Sequence, residues 1–194
     1  ANGVIESRPI KGTRPRGGTP ALDAQIAADL LASSKDRAEN TMIVDLLRND
    51  LAKNCRDGSI DVPQLCALEK FSNVHHLVST IRGTLRPDTS PLEALRDSFP
   101  GGSITGAPKI QAMGVIAELE PHARGPYCGA MGYIGFDGQM DTNILIRTAV
   151  IKGRDVYFHA GGGIVADSAA DAEYNETLDK ASGLIAALSD TPAG

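Results

Sequence analysis

The sequence predicts an α+β fold in which antiparallel β-sheets are flanked by helices. Three observations carry this. Asp137-Gly138 is a strong two-residue hairpin signal. The strand candidates around it follow one another through short turns rather than through crossover helices, which argues against a doubly wound parallel sheet. Two stretches, 22–54 and 168–188, instead have the apolar spacing and start signals of helices.

In chain order, Val4 to Ile10 reads as a short strand, and Gly12 to Pro20, rich in Gly, Pro and Arg, as a loop. Leu22 to Asn54 is helical, as one helix or two; Met42, Ile43, Leu46, Leu47 and Leu51 share a face, and Asn54 is a stop signal. The Asp57-Gly58 turn leads to a strand near Ile60 and Val62, and His75 to Leu85 alternates as a strand. Ser90-Pro91-Leu92-Glu93 combines a Ser cap, Pro at the first helical position and Glu three after the cap, so a helix starts there and ends near Phe99-Pro100. Gly101 to Lys109 is a Gly-rich loop, and a helix runs from Pro108 to about Glu120. Strands follow from Tyr127, including Asn143 to Ile151 and Val156 to Ala160, joined through Lys152-Gly153. After Gly161-Gly162-Gly163, Ser168 and Asp171 open a final helix to about Leu188.

The chain has 194 residues, 42% of them hydrophobic and 22% charged, which suits one domain, residues 1–194, with a core built on Leu, Ile, Val and Ala because Trp is absent. The net charge of −5 argues against a nucleic-acid surface, which needs clustered Lys and Arg. No apolar run reaches the length of a membrane span, and Ala1 to Lys11 has no continuous apolar region of a signal peptide. Cys55, Cys66 and Cys128 are an odd set without close pairs, so they read as thiols of a cytoplasmic protein.

Several residues carry chemistry. Glu173, Glu176 and Lys180 fall within a sector of about 60° on the final helix, counted at about 100° per residue. Asp36 and Glu39 stand three apart just before an apolar helical stretch. Either set alone is more often a solvated face or a helix N-terminal charge. Brought together, they make a hard-oxygen site suited to Mg²⁺. Gly161-Gly162-Gly163 lets backbone N–H groups converge on an anion, or simply turns the chain. Neither a P-loop nor a dinucleotide fingerprint is present. Arg147 closes the apolar run Ile144-Leu145-Ile146 and needs a carboxylate if buried, or lies in solvent at a strand edge. His75 and His76, adjacent in a strand, point to opposite faces.

Five strings give a more specific reading: Pro9-Ile10-Lys11-Gly12-Thr13; Lys35 to Asn40 running into Ile43-Val44-Asp45-Leu46 and Arg48-Asn49-Asp50; His76-Leu77-Val78-Ser79; Pro100 to Lys109; and Ala160 to Ser168 with Glu173-Tyr174-Asn175-Glu176-Thr177. In this order they cover nearly the whole chain, which resembles the catalytic part of chorismate-utilising enzymes: anthranilate synthase component I, aminodeoxychorismate synthase component I, and isochorismate and salicylate synthases. The resemblance implies that Glu39 and Glu176 hold Mg²⁺ with Glu173 and Asp36 in support. It places Arg147 and Tyr127 on the enolpyruvyl carboxylate of chorismate. It also implies that the Gly161, Gly162 and Gly163 amides and Lys180 face the ring carboxylate, that Ser103 is a polar contact in the pocket, and that His76 sits by the reacting ring as a catalytic residue with an acid/base or orienting role.

Within that family Lys11 points to aminodeoxychorismate synthases, since anthranilate synthases typically have Ala in this string. The resemblance makes Lys11 a nucleophile that adds to the ring as the 4-hydroxyl leaves. Ammonia, from a glutamine amidotransferase partner, then displaces it to give 4-amino-4-deoxychorismate for 4-aminobenzoate and folate synthesis. A free lysine amine has a pKa of about 10.4, so burial or a nearby cation has to lower it. The family's N-terminal region and its Ser-Pro-Glu string do not precede Ala1, so the chain reads as a catalytic fragment of a longer protein. The alternatives are an anthranilate, isochorismate or salicylate synthase, or a non-catalytic fragment that binds a partner.

Overall fold

A computed structural model describes residues 3–166 and 168–189. Contacts divide the chain into two compact units, Ala1–Ser103 with Asp137–Gln139, and Ile104–Phe136 with Met140–Gly194. Both combine helices with antiparallel strands, as the composition of turns and periodic segments requires.

In the first unit, strand β4 (Val74–Thr84) is the spine of the sheet. Strands β1 (Val4–Ser7) and β2 (Ile10–Pro15) pair with successive halves of one of its edges, and β3 (Asp61–Lys70) pairs with the other, all antiparallel. Enclosed on both edges, β4 is buried almost continuously from His75 to Ile81. β1 and β2 are one path interrupted at Arg8-Pro9, where the Ser79 N–H donates to the Pro9 carbonyl at 3.1 Å.

The segment expected to be a loop from Gly12 is therefore paired as far as Pro15. The strand accommodates its glycine in a bulge: Ile10 faces Val78 and Thr13 faces His76, so Lys11 and Gly12 together oppose Leu77. Gly12 has φ +90°, and a Cβ on it would meet the Asp36 Cβ at 3.0 Å and Leu30 at 3.2 Å. A side chain there is thus excluded by both backbone conformation and contact.

The long helical stretch is two helices, α1 (Pro20–Ala32) and α2 (Ser34–Ala52). Thr19 caps the first and Ser33, extended at the joint, caps the second by accepting from the Asp36 N–H at 3.3 Å. The apolar stripe of α2 lies on β4: Val44, Leu51, Cys55 and Ile81 form a buried cluster bordered by Ile5, Leu47, Ile60, Val62 and Leu85. Burying a side chain of this kind contributes about 1.5–3 kcal/mol. Asn40, 0% exposed, donates its amide to the Leu77 carbonyl at 3.2 Å and accepts the Ser79 hydroxyl at 2.5 Å. Ser79 in turn accepts the Cys66 N–H of β3 at 2.9 Å. Helix α3 (Pro91–Ser98) has the full reciprocal capping box between Ser90 and Glu93. The next stretch, expected as loop throughout, contains a short helix α4 (Gly102–Thr105). Gly102 permits it, because a Cβ there would fall 2.1 Å from Leu46 Cδ2.

The second unit holds α5 (Lys109–Leu119), the hairpin β5 (Ala130–Ile134) and β6 (Met140–Ile144), the hairpin β7 (Ala149–Lys152) and β8 (Asp155–Phe158), and α6 (Ala170–Ser189). The expected strand from Asn143 to Ile151 is broken. Arg147 takes φ +52°, and this left-handed residue turns the chain between β6 and β7. Among the described residues no helix is long and apolar enough to cross a membrane.

Replacing Asn40 with Ala leaves the Ser79 hydroxyl and the Leu77 carbonyl without this partner inside the core. The expected cost is about 1–3 kcal/mol, measured as a lower urea midpoint with an unchanged slope.

Candidate functional site

The first unit carries the Lys11 bulge and its surroundings. Lys11 is half-buried on β2 and forms no ion pair among the described residues. Across the bulge, His76 is half-buried on β4, with its Nδ1 2.8 Å from the Thr13 hydroxyl and its ring edge-on to Phe71 at 5.3 Å. Burial pushes the His76 pKa down, and the nearby Glu69 carboxylate opposes this only in part, so the neutral ring is favoured. The two histidines do face opposite ways. His75, 0% exposed, has its Nε2 2.8 Å from Asp23 Oδ1. His75 Nδ1 has no partner among the described residues. An Nε2–H tautomer, donating to ionised Asp23, fits this arrangement.

Asp23 also accepts two hydrogen bonds from the Arg16 guanidinium, at 2.7 and 2.9 Å, and the Gly17 N–H at 2.9 Å. The Arg16 bonds first, then the Gly17 amide, hold its carboxyl well below the usual range. This cluster ties the β2–α1 connection to β4. Asp36 and Glu39 stand at the start of α2, next to the bulge through the Gly12 contact. Asp36 accepts from Arg14 at 2.8 Å, and Glu39 is half-buried one turn on. Ser103, in α4, is half-buried.

The second unit gathers most of the remaining candidates. A Cβ on Gly162 would lie 3.0 Å from Glu173 Oε2, 3.8 Å from Lys180 Nζ and 4.0 Å from Glu176 Oε1. The glycine loop thus lies directly against the charged face of α6, which is not merely solvated. Lys180 Nζ is 2.5 Å from Glu176 Oε1 and donates to the Gly161 carbonyl at 3.2 Å. Ser168, expected as the helix start, lies two residues before α6 and has another use: it accepts the Val165 N–H at 3.1 Å and donates to Glu173 Oε1 at 2.6 Å. Tyr127 joins the group, since its hydroxyl is 3.2 Å from where a Gly161 Cβ would stand. Burial pushes the Tyr127 phenol pKa up.

Arg147 is exposed in its bend and has no ion-pair partner among the described residues. Its segment is nonetheless laced to that of Tyr127: the Cys128 N–H donates to the Leu145 carbonyl at 2.8 Å, and the Leu145 N–H donates to the Gly129 carbonyl at 2.9 Å. Within neither unit do three or more His, Cys, Asp or Glu side chains among the described residues converge as a ready-made metal cage. The donor chemistry still fits a hard cation. Glu173 and Glu176 offer carboxylate oxygens at one loop, and a cation taking the Glu176 oxygen would displace the Lys180 ammonium that now pairs with it.

The family model for chorismate binding enzymes matches residues 1–186. The chain belongs to that family. It is 55% identical, over 92% of its length, to aminodeoxychorismate synthase component 1 of Salmonella typhimurium. It is 51% identical, over 96% of its length, to anthranilate synthase component 1 of Geobacillus stearothermophilus. It covers 39% and 37% of those relatives respectively. The crystal structure of anthranilate synthase component I from Streptococcus pneumoniae superposes with a TM-score of 0.85 at 41% identity, over 95% of this chain and 40% of that one. The α+β class with antiparallel sheets therefore holds, and the chain spans about two fifths of the length of the relatives it matches.

Sequence reasoning passed over Thr13, Asp23, Arg16, Asn40, Arg124 and His159. Of these, only Thr13 and Asn40 lay inside recognisable strings; the others had no local signal.

The Asp23 carboxyl is ionised more readily folded than unfolded, so its contribution is complete above the unfolded value of about 3.9 and is lost as pH falls below it. Asp23→Asn should destabilise the chain at neutral pH, and the gap from wild type should narrow progressively below about pH 4. Urea denaturation at a series of pH values reads this directly.

Proposed function

We propose that the protein of which these residues form part converts chorismate and ammonia to 4-amino-4-deoxychorismate, with Mg²⁺ as cofactor and ammonia drawn from a glutamine amidotransferase subunit. One observation supports the choice of product above the others. Lys11, where anthranilate synthases typically carry Ala, stands in a bulge beside His76 with its amine in no ion pair among the described residues. A bulge re-aims a strand side chain, and this one carries the only side-chain amine in the string.

The roles follow. The Gly161, Gly162 and Gly163 amides and Lys180 bind the ring carboxylate, and Tyr127 and Arg147 the enolpyruvyl carboxylate. Ser103 is a polar contact. His76, kept neutral by burial and oriented by Thr13, sits by the reacting ring. The Lys11 amine nitrogen forms a C–N bond to the ring while the C–O bond to the 4-hydroxyl breaks. The proton lost from the amine and the departing hydroxide leave as water. Ammonia then forms its own C–N bond as the bond to Lys11 breaks, and one of its protons passes to the departing lysine nitrogen, which returns the free amine.

The carboxylates assigned to Mg²⁺ are Glu39 and Glu176, supported by Asp36 and Glu173. When bound, the ion stabilises the negative charge that the ring carboxylate shares as hydroxide is lost. The second reading, anthranilate synthesis, is favoured by the 51% identity to an anthranilate synthase component 1.

Lys11→Ala in the full-length protein should abolish aminodeoxychorismate formation from chorismate, ammonia and Mg²⁺, followed by chromatographic product analysis. Product at the wild-type rate would remove the covalent role, and anthranilate as the wild-type product would establish the second reading. Glu176→Gln should raise the Mg²⁺ concentration for half-maximal activity by on the order of tenfold or more. An unchanged Mg²⁺ titration would take Glu176 out of the metal site.

A further inference from the structure

His159 is the first residue past β8 and lies two residues before Gly161. Its ring stacks on that of Tyr127, with centroids 5.3 Å apart and planes 11° from parallel. The Arg124 guanidinium carbon lies 5.9 Å from the centre of the same phenol ring. Arg124 is itself held, since it donates to both Glu120 carboxylate oxygens at 2.7 and 2.9 Å and to the Ile104 carbonyl at 2.9 Å. The Tyr127 hydroxyl lies 3.2 Å from where a Cβ on Gly161 would stand. A phenol ring rotates in a broad torsional well, so its plane has to be set by its neighbours. Here an anchored cation and a parallel imidazole set it, and the imidazole is carried on the same segment as the glycine loop.

We propose that His159 is a positioning residue, which by stacking locks the Tyr127 phenol in the plane that presents its hydroxyl to the enolpyruvyl carboxylate of the substrate. The inference rests on the assignment of Tyr127 to chorismate. Offset-stacked rings contribute beyond the area they bury, and only a flat group provides this. Volume alone is therefore not enough, which separates positioning from simple packing. His159 makes no contact with substrate in this scheme, and its effect passes wholly through Tyr127.

The test uses three substitutions of His159 in the full-length protein: Phe keeps a flat ring, Leu keeps bulk without one, and Ala removes both. Chorismate affinity is measured by calorimetry. Tyr127 ionisation is followed by ultraviolet difference titration, with Tyr127→Phe identifying its signal. His159→Ala and His159→Leu should weaken chorismate binding by on the order of tenfold. Both should bring the Tyr127 ionisation down toward that of a free phenol, as the ring loses its cover. His159→Phe should restore both readouts. Wild-type affinity and titration in His159→Leu would overturn the positioning role, as would an unmoved titration in His159→Ala. Wild-type chorismate affinity in Tyr127→Phe would instead remove Tyr127 from the substrate, whatever His159 does to its titration.

Discussion

The first unit depends on where α2 lies on β4, and that is decided by one buried amide. The apolar contacts of Val44 and Leu51 with Ile81 are non-directional and would tolerate a small slide. The hydrogen bonds of Asn40 would not. Its side chain joins a backbone carbonyl of β4 to a hydroxyl that is already engaged with β3, so helix and both strands share one register. Everything the N-terminal turn of α2 presents, Asp36 and Glu39 included, inherits that placement. So does the Lys11 bulge, whose glycine touches Asp36 with no room for a side chain.

The second unit solves a similar problem with a glycine in place of an amide. Two carboxylates and an ammonium on one helix face would ordinarily stay in water, at little gain from their mutual attraction. Gly162 lets a backbone loop approach all three, and Lys180 ties the loop to the helix through the Gly161 carbonyl while it balances Glu176. Ser168 does the same for Glu173. The result is a concentration of polar backbone and fixed charge suited to an anion, a hard cation, or the two together.

A scaffold similar in sequence to both aminodeoxychorismate and anthranilate synthase components cannot owe its product to its fold. On the reading proposed above, the difference lies in single side chains at the site. Lys11 is the residue that the proposed reading singles out. The bulge in which it stands belongs to the backbone, set by Gly12, whereas the amine is a matter of one side chain. A framework common to several chemistries and a local choice between them are thus physically separate features.

Much of the local structure was readable from residues close in sequence. The Ser90–Glu93 capping box, the Asp137-Gly138 hairpin and the opposite facing of His75 and His76 follow from backbone geometry over two to four residues, and all three are present. The charged face of α6 was legible from helical period alone. What remained hidden was set by partners far along the chain. Asn40 with Ser79, Asp23 with His75 and Tyr127 with His159 are ordinary polar or aromatic residues until a fold brings them together. Gly12 read as loop because a positive φ suits a loop and a bulge equally, and only pairing with β4 decides between them. Arg147 read as strand because its apolar neighbours hide a left-handed turn. The sequence by itself therefore determined caps, turns, periodicity and family, all of which need only neighbouring residues. The tertiary structure decided which polar groups are buried and what each one holds, because desolvation and hydrogen bonding act between atoms that only the fold makes adjacent.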